Sequence, residues 1–233
     1  MGKIILVKNI KGGIGKSWIT LQLAHLFATK DNKVLIITSD SQNNIPLFAG
    51  IKISEEQKGI ETWLKEDTGD YTQLRNNLYF ISMSNSYISE ELHQKFKRFM
   101  DIAKEKFDYI FIDASPVMNL DMEFVDSSDA VVIPTFLDAV SSQAITRMFN
   151  MVDVKKIKAI IPNRTSSRSK LEKEYYTRLA NALVKTGILL TCPIQQSAVI
   201  SNLIDRGKTL WEVENMKAAN FKREFERVME VIK

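Results

Sequence analysis

The sequence is poor in the residues that build covalent or cluster-based sites. Its 233 residues include one cysteine, Cys192, which excludes an internal disulfide framework, a four-thiolate zinc site and a self-contained iron–sulfur cluster. Only 9 glycines and 5 prolines are present, which excludes collagen-like and Pro/Gly-rich disordered chains. Such cysteine usage predicts a reducing, cytoplasmic location.

Long hydrophobic runs and an excess of one charge are also missing. The longest apolar stretches, such as residues 4–7 and 130–133, are far shorter than the roughly 20 residues of a membrane-spanning helix, and the first residues predict no cleavable signal. A net charge of +4, from 32 basic and 28 acidic residues, does not by itself predict a polyanionic partner. The composition, 45% hydrophobic and 26% charged, predicts one compact domain over residues 1–233.

Short apolar runs alternate with amphipathic stretches along the chain, which is the pattern of βαβ units. Because the runs are continuously apolar, we expect an α/β fold with a doubly wound, mostly parallel sheet flanked by helices. The predicted strands span residues 3–8, 33–38, 78–82, 109–113, 130–134, 158–161 and 188–191. The predicted helices span residues 16–29, 55–65, 88–106, 141–152, 170–185 and 215–232.

The segment after the first predicted strand is rich in glycine and ends in Lys-Ser. It reads Lys11-Gly12-Gly13-Ile14-Gly15-Lys16-Ser17 and continues with Trp18 into a predicted helix. Glycines let backbone N–H groups turn towards phosphate oxygens, and a helix N-terminus adds its dipole. Lys16 supplies a cation and Ser17 offers a hydroxyl to Mg²⁺. The segment therefore predicts a phosphate-binding loop, in a variant that has Ile10 where the general pattern has glycine.

This loop resembles that of the ParA/MinD family of deviant Walker A P-loop ATPases, which reads K-G-G-x-G-K-[ST], and the likeness covers nearly the whole chain. The resemblance implies a P-loop NTPase fold with ATP and Mg²⁺. It implies that Lys11 reaches across a homodimer to the partner's nucleotide, which makes dimerisation ATP-dependent, and that Lys16 contacts the β- and γ-phosphates. The implied nucleotide-binding residues are Lys11, Gly12, Gly13, Ile14, Gly15, Lys16, Ser17, Trp18 and Asn163, with Lys11 and Lys16 also catalytic.

Two further segments resemble carboxylate motifs of the family. Where members read I-D-x-D-P-Q-G-N, this chain reads Ile37-Thr38-Ser39-Asp40-Ser41-Gln42-Asn43-Asn44. The likeness implies that Asp40 orients the attacking water and serves the metal, while Thr38, in place of an aspartate, predicts weaker Mg²⁺ organisation and slow turnover. Residues 107–116 resemble the Walker B segment, so Asp113 joins Ser17 and Asp40 as a metal candidate. Turn, N-cap or strand-capping roles remain the alternatives for both aspartates.

Two later strands continue the resemblance. Residues 128–134 resemble the family's A-D-x-V-[IL]-[IV]-P strand, and Ile160-Ile161-Pro162-Asn163-Arg164 resembles its strand ending in N-R. In the family this asparagine hydrogen-bonds the adenine base, and an amide that both donates and accepts suits a base edge. A plain turn residue is the alternative for Asn163.

Basic residues are densest between positions 155 and 178. The likeness to the ParA branch implies nonspecific DNA binding by surface Lys and Arg of the ATP dimer, and a solvated face is the alternative. The candidate DNA-binding residues are Arg164, Arg168, Lys170, Arg206 and Lys208. The family's basic I-P-R-N-V-R segment is replaced here by Gln195 and Gln196 within residues 194–199, and Glu212 replaces a frequent arginine.

The sequence thus predicts a cytoplasmic ParA-like ATPase of plasmid or chromosome partition, nucleoid-associated if it binds DNA, with a ParB-like or other adaptor that stimulates hydrolysis. One alternative is a MinD-like ATPase that positions material on a membrane or scaffold. The amphipathic C-terminal stretch is, however, expected to pack on the core rather than on a bilayer. The other alternative is a hydrolysis-poor regulatory dimer, which Thr38 suggests. No helix-turn-helix is expected before the loop.

Overall fold

The computed structural model describes residues 1–39, 44–53, 59–66, 68–82, 90–114 and 121–233. Within these ranges eight strands form one sheet in the order β3-β4-β2-β5-β1-β6-β7-β8. All neighbouring strands are parallel except β3, which is antiparallel to β4. The strands are β1 (Lys3–Val7), β2 (Val34–Thr38), β3 (Thr72–Arg75), β4 (Leu78–Ile81), β5 (Tyr109–Asp113), β6 (Ala130–Thr135), β7 (Ile157–Pro162) and β8 (Leu189–Leu190).

Helices cover both faces of the sheet, because neighbouring residues of each central strand point to opposite faces and both faces are apolar. Ile5 and Phe111 contact the layer that contains α1, α2, α8 and α9, whereas Ile4 and Ile112 contact the layer that contains α3 to α7. The helices are α1 (Lys16–Ala28), α2 (Asn44–Phe48), α3 (Ile60–Glu66), α4 (Glu90–Lys106), α5 (Asp121–Ser127), α6 (Ala139–Met151), α7 (Lys170–Leu183), α8 (Ala198–Asp205) and α9 (Met216–Ile232). The predicted doubly wound, mostly parallel α/β fold is confirmed.

Several predicted boundaries were wrong. The helix predicted from residue 55 begins at Ile60, since Gly59 is not helical, and residues 54–58 lie outside the described part. Residues 88 and 89 of another predicted helix also lie outside it. The predicted start of α6 at residue 141 was late, because Asp138 caps a helix that begins at Ala139. Four elements had not been predicted, namely β3, α2, α5 and α8.

The apolar face of α9 is part of the core. Phe225, Val228 and Ile232 are at most 1% exposed, so the expectation that this helix packs on the protein is confirmed. Among the described helices, none is long and apolar enough to cross a bilayer.

The topology places the predicted site at one edge of the sheet. The glycine-rich loop follows β1 and Asn163 follows β7, while Thr38 and Asp113 are the last residues of β2 and β5. In open α/β sheets ligands bind at this edge, next to the strands where the chain reverses its direction of winding.

Candidate functional site

The loop between β1 and α1 has the backbone shape that its glycines allow. Gly13 and Gly15 have φ angles of 71° and 86°, a left-handed region that disfavours residues with a Cβ. Between them, the Ile14 side chain is fully buried and anchors the loop. α1 starts at Lys16, and its first hydrogen bond runs from the Ile19 N–H to the Gly15 carbonyl, 3.0 Å. The first-turn N–H groups of α1 are therefore next to the loop, where an anion can accept from them.

The two lysines of the loop point in different directions. Lys16 is 9% exposed, and its Nζ donates to the Lys11 carbonyl oxygen across the loop, 3.3 Å. The Lys11 side chain leaves the loop instead, and its Nζ donates to Asp138 Oδ2 at 2.8 Å and to Ser141 Oγ at 3.0 Å. One cation thus lies inside the loop and the other outside it.

Asp138 holds Lys11 and caps α6 at the same time. Its Oδ1 accepts from the Ser141 N–H at 2.7 Å. Burial acts to raise the pKa of Asp138, but the hydrogen bonds from Lys11 and Ser141 outweigh it, so the pKa of this carboxyl lies below its usual value. Asp138 is therefore a charged acceptor for Lys11 at neutral pH.

Asp113 and Thr38 lie side by side at the ends of neighbouring strands. They are in register between β2 and β5, and the Thr38 Oγ1 donates to Asp113 Oδ2 at 3.4 Å. Both side chains are buried. Carboxylate and hydroxyl oxygens are ligands that Mg²⁺ prefers, so the donor set of Asp113 and Ser17 fits a magnesium ion that would neutralise the phosphates of a nucleotide. Asp40, Ser41, Ser115 and Pro116 lie outside the described residues.

A cavity of about 390 Å³ opens beside the loop. Lys16, Ser17 and Trp18 line it from α1, and Asn163 lines it from the end of β7. Its other lining residues are Gly13, Gly15, Asn44, Phe48, Arg164, Gln195, Gln196, Ser197, Ile200, Ser201 and Ile204. Of the remaining predicted site residues, Lys11, Gly12, Ile14 and Asp113 are not part of this lining.

The bulky Trp18 packs between the first and last helices. Its ring meets Phe225 of α9 edge-on, with 5.8 Å between the centroids. The indole fills the space between α1 and α9 and forms an apolar wall of the cavity together with Phe48 and Ile200.

The candidate DNA-binding residues lie in two places. Arg164, Arg168 and Lys170 are exposed between the end of β7 and the start of α7, and Arg206 and Lys208 are exposed just after α8. Only Arg164 of these lines the cavity.

Sequence reasoning missed two residues that shape the loop. Asn9 is fully buried; its Oδ1 accepts from the Lys11 N–H at 3.0 Å, and its Nδ2 donates to the Pro134 carbonyl at 2.8 Å. Asp138 is the other. The only sequence signal for it was an Asp three residues before Ser141, which is a helix N-cap pattern.

Comparisons with known proteins agree with this geometry. A family model described as an AAA domain matches residues 2–166, well over half of the chain. The sporulation initiation inhibitor protein Soj of Bacillus subtilis is 27% identical over 165 residues, which are 65% of this chain and 65% of Soj. The chain thus matches just under two thirds of the length of that relative.

Two solved structures share the fold. A plasmid partition protein of Borrelia burgdorferi bound to AMPPNP has a TM-score of 0.75 at 24% identity, over 99% of this chain and 98% of that one. The septum site-determining protein MinD of Pyrococcus horikoshii, complexed with Mg-ADP, has a TM-score of 0.72 at 21% identity, over 98% and 96% of the two chains. Together with the matched AAA domain and the geometry of the loop, these findings show that the chain belongs to the ParA/MinD family of P-loop ATPases.

Proposed function

We propose that this chain is an ATP-dependent switch of the ParA type that acts in plasmid or chromosome partition. It binds ATP and Mg²⁺ at the glycine-rich loop and forms a homodimer in that state. The dimer binds nonspecific DNA, and an adaptor protein stimulates hydrolysis and release. The names of the Borrelia plasmid partition protein and of a relative in Myxococcus xanthus, the chromosome partitioning protein ParA, support a role of this kind.

The observation that carries the proposal is that the two lysines of one loop point in different directions. Lys16 lies inside the loop, where it would contact the β- and γ-phosphates of its own nucleotide. Lys11 lies outside, held by Asp138 and Ser141, where a second subunit's nucleotide would draw it away. A trans-acting cation explains why dimerisation would require the triphosphate.

The catalytic residues in this proposal are Lys11, Lys16 and Asp40. Ser17 and Asp113 would hold Mg²⁺, which supplies charge neutralisation at the phosphates, and Asp40 would orient the attacking water. Thr38 contributes a hydroxyl where relatives have a carboxylate, so hydrolysis would be slow.

DNA binding would rely on charge rather than on base reading. The five exposed basic residues Arg164, Arg168, Lys170, Arg206 and Lys208 would meet backbone phosphates. Such binding would bring the protein to the nucleoid in the cytoplasm.

A hydrolysis-poor regulatory dimer is the second candidate, and the Thr38–Asp113 hydrogen bond favours it. ATP-induced dimers that release no phosphate, even with an adaptor, would support it over the partition switch. A MinD-like membrane role is less well supported, because the apolar face of α9 is buried.

Two lysine substitutions test the proposal. Lys16→Ala is expected to lose nucleotide binding, measured by isothermal titration calorimetry. Lys11→Ala is expected to keep ATP binding and to remain monomeric with ATP in size-exclusion chromatography with light scattering. Lys30→Ala, at an exposed position just after α1, removes the same charge and serves as the control. Normal ATP-dependent dimers of Lys11→Ala would contradict the trans role of Lys11.

A further inference from the structure

Asn163 bridges two parts of the site that are far apart in sequence. Its N–H donates to the Thr135 carbonyl at 2.8 Å, which fixes the backbone at the end of β7 to β6. Its side chain is 4% exposed, and its Nδ2 donates to the Ile14 carbonyl at 2.9 Å, across 149 positions of the chain. A Cβ on Gly15 would come within 2.4 Å of this nitrogen. The amide therefore lies directly against the phosphate-binding loop.

Other contacts also support the loop, among them the bond from Lys16 Nζ to the Lys11 carbonyl. Lys11 is held at its backbone by Asn9, and Ile14 is held by burial of its side chain. An added Cβ at Gly12 or Gly13 would meet no atom within 4 Å, so this outer part of the loop is open to solvent. The bond from Asn163 restrains the carbonyl next to Gly15, at the point where the loop turns into α1.

The direction of this hydrogen bond determines what Asn163 can offer to a ligand. A carbonyl oxygen only accepts, so the amide NH₂ group faces Ile14. Asn163 also lines the cavity, and its amide keeps Oδ1 as an acceptor and the second N–H as a donor.

We propose that Asn163 is a positioning residue of the phosphate-binding loop. It holds the Ile14 carbonyl so that the loop keeps its anion-binding shape even when no base is present. This inference rests on the proposed binding of ATP at the loop. It differs from a base contact, because it also affects the binding of a phosphate ligand that has no base.

Inorganic tripolyphosphate is the probe that separates the two roles, because it carries the phosphates and no base. We expect Asn163→Ala to weaken binding of tripolyphosphate with Mg²⁺ about tenfold, measured by isothermal titration calorimetry. Asn32→Ala is the matched control. Its Nδ2 donates to the Phe27 carbonyl at 3.0 Å, so the variant removes the same kind of bond at the far end of α1 and is expected to bind tripolyphosphate like the unchanged protein.

A second variant, Asn163→Leu, keeps roughly the size of the side chain and removes the donor to Ile14, so we expect the same loss of tripolyphosphate binding. Thermal unfolding without ligand checks that both variants fold. Tripolyphosphate binding that both variants leave unchanged while ATP binding falls would overturn the positioning role and leave ATP binding intact. If the unchanged protein bound neither ATP nor tripolyphosphate, the proposed function would fail as well.

Discussion

The pairing of Thr38 with Asp113 illustrates how a single side chain tunes the site. The family motif that residues 37–44 resemble has a carboxylate where this chain has Thr38, next to Asp113 on the neighbouring strand. Here the buried Thr38 hydroxyl donates to Asp113 Oδ2 instead, so the Asp113 carboxylate is stabilised by a neutral donor. The site therefore avoids two like charges in contact, and it has one fewer anionic ligand to offer to Mg²⁺.

Restoring the second carboxylate should make the protein depend on the metal. In Thr38→Asp the two buried charges repel, so we expect the free energy of unfolding without Mg²⁺ to fall by about 3 kcal/mol. Mg-ATP should then raise the melting temperature more than it does for the unchanged protein. Thr38→Asn is the uncharged control, measured by the same thermal unfolding with and without Mg-ATP. An equal response of both variants would contradict the electrostatic account.

His25 gives the folded protein a specific dependence on pH. It is buried, and its Nδ1 lies 2.7 Å from Thr209 Oγ1. Burial lowers the pKa of His25 from 6.5 to about 4. The negative charge of Glu212 acts to raise this pKa, and the positive charge of Arg75 acts to lower it. Between these two pKa values the unfolded chain binds a proton that the folded chain does not, so acid favours unfolding.

We therefore expect the free energy of unfolding to decrease as the pH falls from 6.5 to 4, by up to about 3 kcal/mol from this residue. His25→Gln removes the titrating group and keeps an acceptor for Thr209. The difference between the two proteins in urea unfolding, measured at intervals over this range, isolates the contribution of His25. Parallel pH profiles would show that His25 is not the cause.

Single residues of the site were predictable to different degrees. Lys16 and Asp113 occur in short motifs, and the structure places them in the loop and at the end of β5 as the motifs predict, while their roles stay predictions. Asn9 and Asp138 could not be selected in this way, because their contacts with Pro134 and Lys11 span 125 and 127 positions. Only the fold brings such groups together.

At the scale of elements, a glycine pair joins the segment after α2 to the end of α8. Gly50 and Gly207 have φ angles of 68° and 60°, and a Cβ on Gly207 would lie 2.2 Å from the Gly50 Cα. Arg75 reinforces the contact, since it donates to the Gly207 carbonyl at 2.8 Å and to both carboxylate oxygens of Glu212 at 3.0 Å. The end of α8, close to the cavity, is thus fixed to α2 and to β3.

Gly207→Ala should push the segment after α8 away from the segment after α2, because the added methyl group would overlap Gly50. We expect a loss of more than about 3 kcal/mol of unfolding free energy, because backbone atoms have to move. Gly187→Ala is the matched control, since Gly187 also has a positive φ, 72°, with no atom within 4 Å of an added Cβ. That variant should cost only the backbone strain, about 1–2 kcal/mol. Denaturant titrations of both proteins give the comparison, and equal losses would contradict a tight contact.

The elements that sequence predicted best are those whose pattern is set by burial. The central strands β1, β2, β5 and β6 are continuously apolar, and each was predicted. In β3 only Leu74 is buried, so no apolar run marks the strand. The first two residues of α8, Ala198 and Val199, end a segment that was compared with a family motif it does not match, although Val199, Ile200 and Leu203 have helical spacing.

At the scale of the whole molecule, net charge and its placement give different information. The total of +4 is small, yet Arg168 and Lys170 are both exposed near the start of α7. Exposed charges of this kind meet phosphates without fixing a base sequence. The salt dependence of DNA affinity is therefore the property that measures their contribution.

For the ATP-bound protein, we expect the logarithm of DNA affinity to fall linearly with the logarithm of salt concentration. Replacing both Arg168 and Lys170 with alanine should reduce that slope by about 2, because each phosphate contact contributes about 0.9. The control pair Lys30→Ala and Lys106→Ala removes two exposed charges at the opposite edge of the sheet. If gel shifts with the Arg168 and Lys170 variant gave an unchanged salt slope, these residues would not be part of the DNA-binding surface.

The two borders of the sheet have a consequence for self-association. One border is β8, with two residues, and the other is β3, with four residues and a bulge between Gln73 and Arg75. Short and irregular border strands offer an incoming strand few unpaired backbone groups, which is how natural sheets resist open-ended aggregation. Copies of this chain therefore have little means of joining through these two border strands.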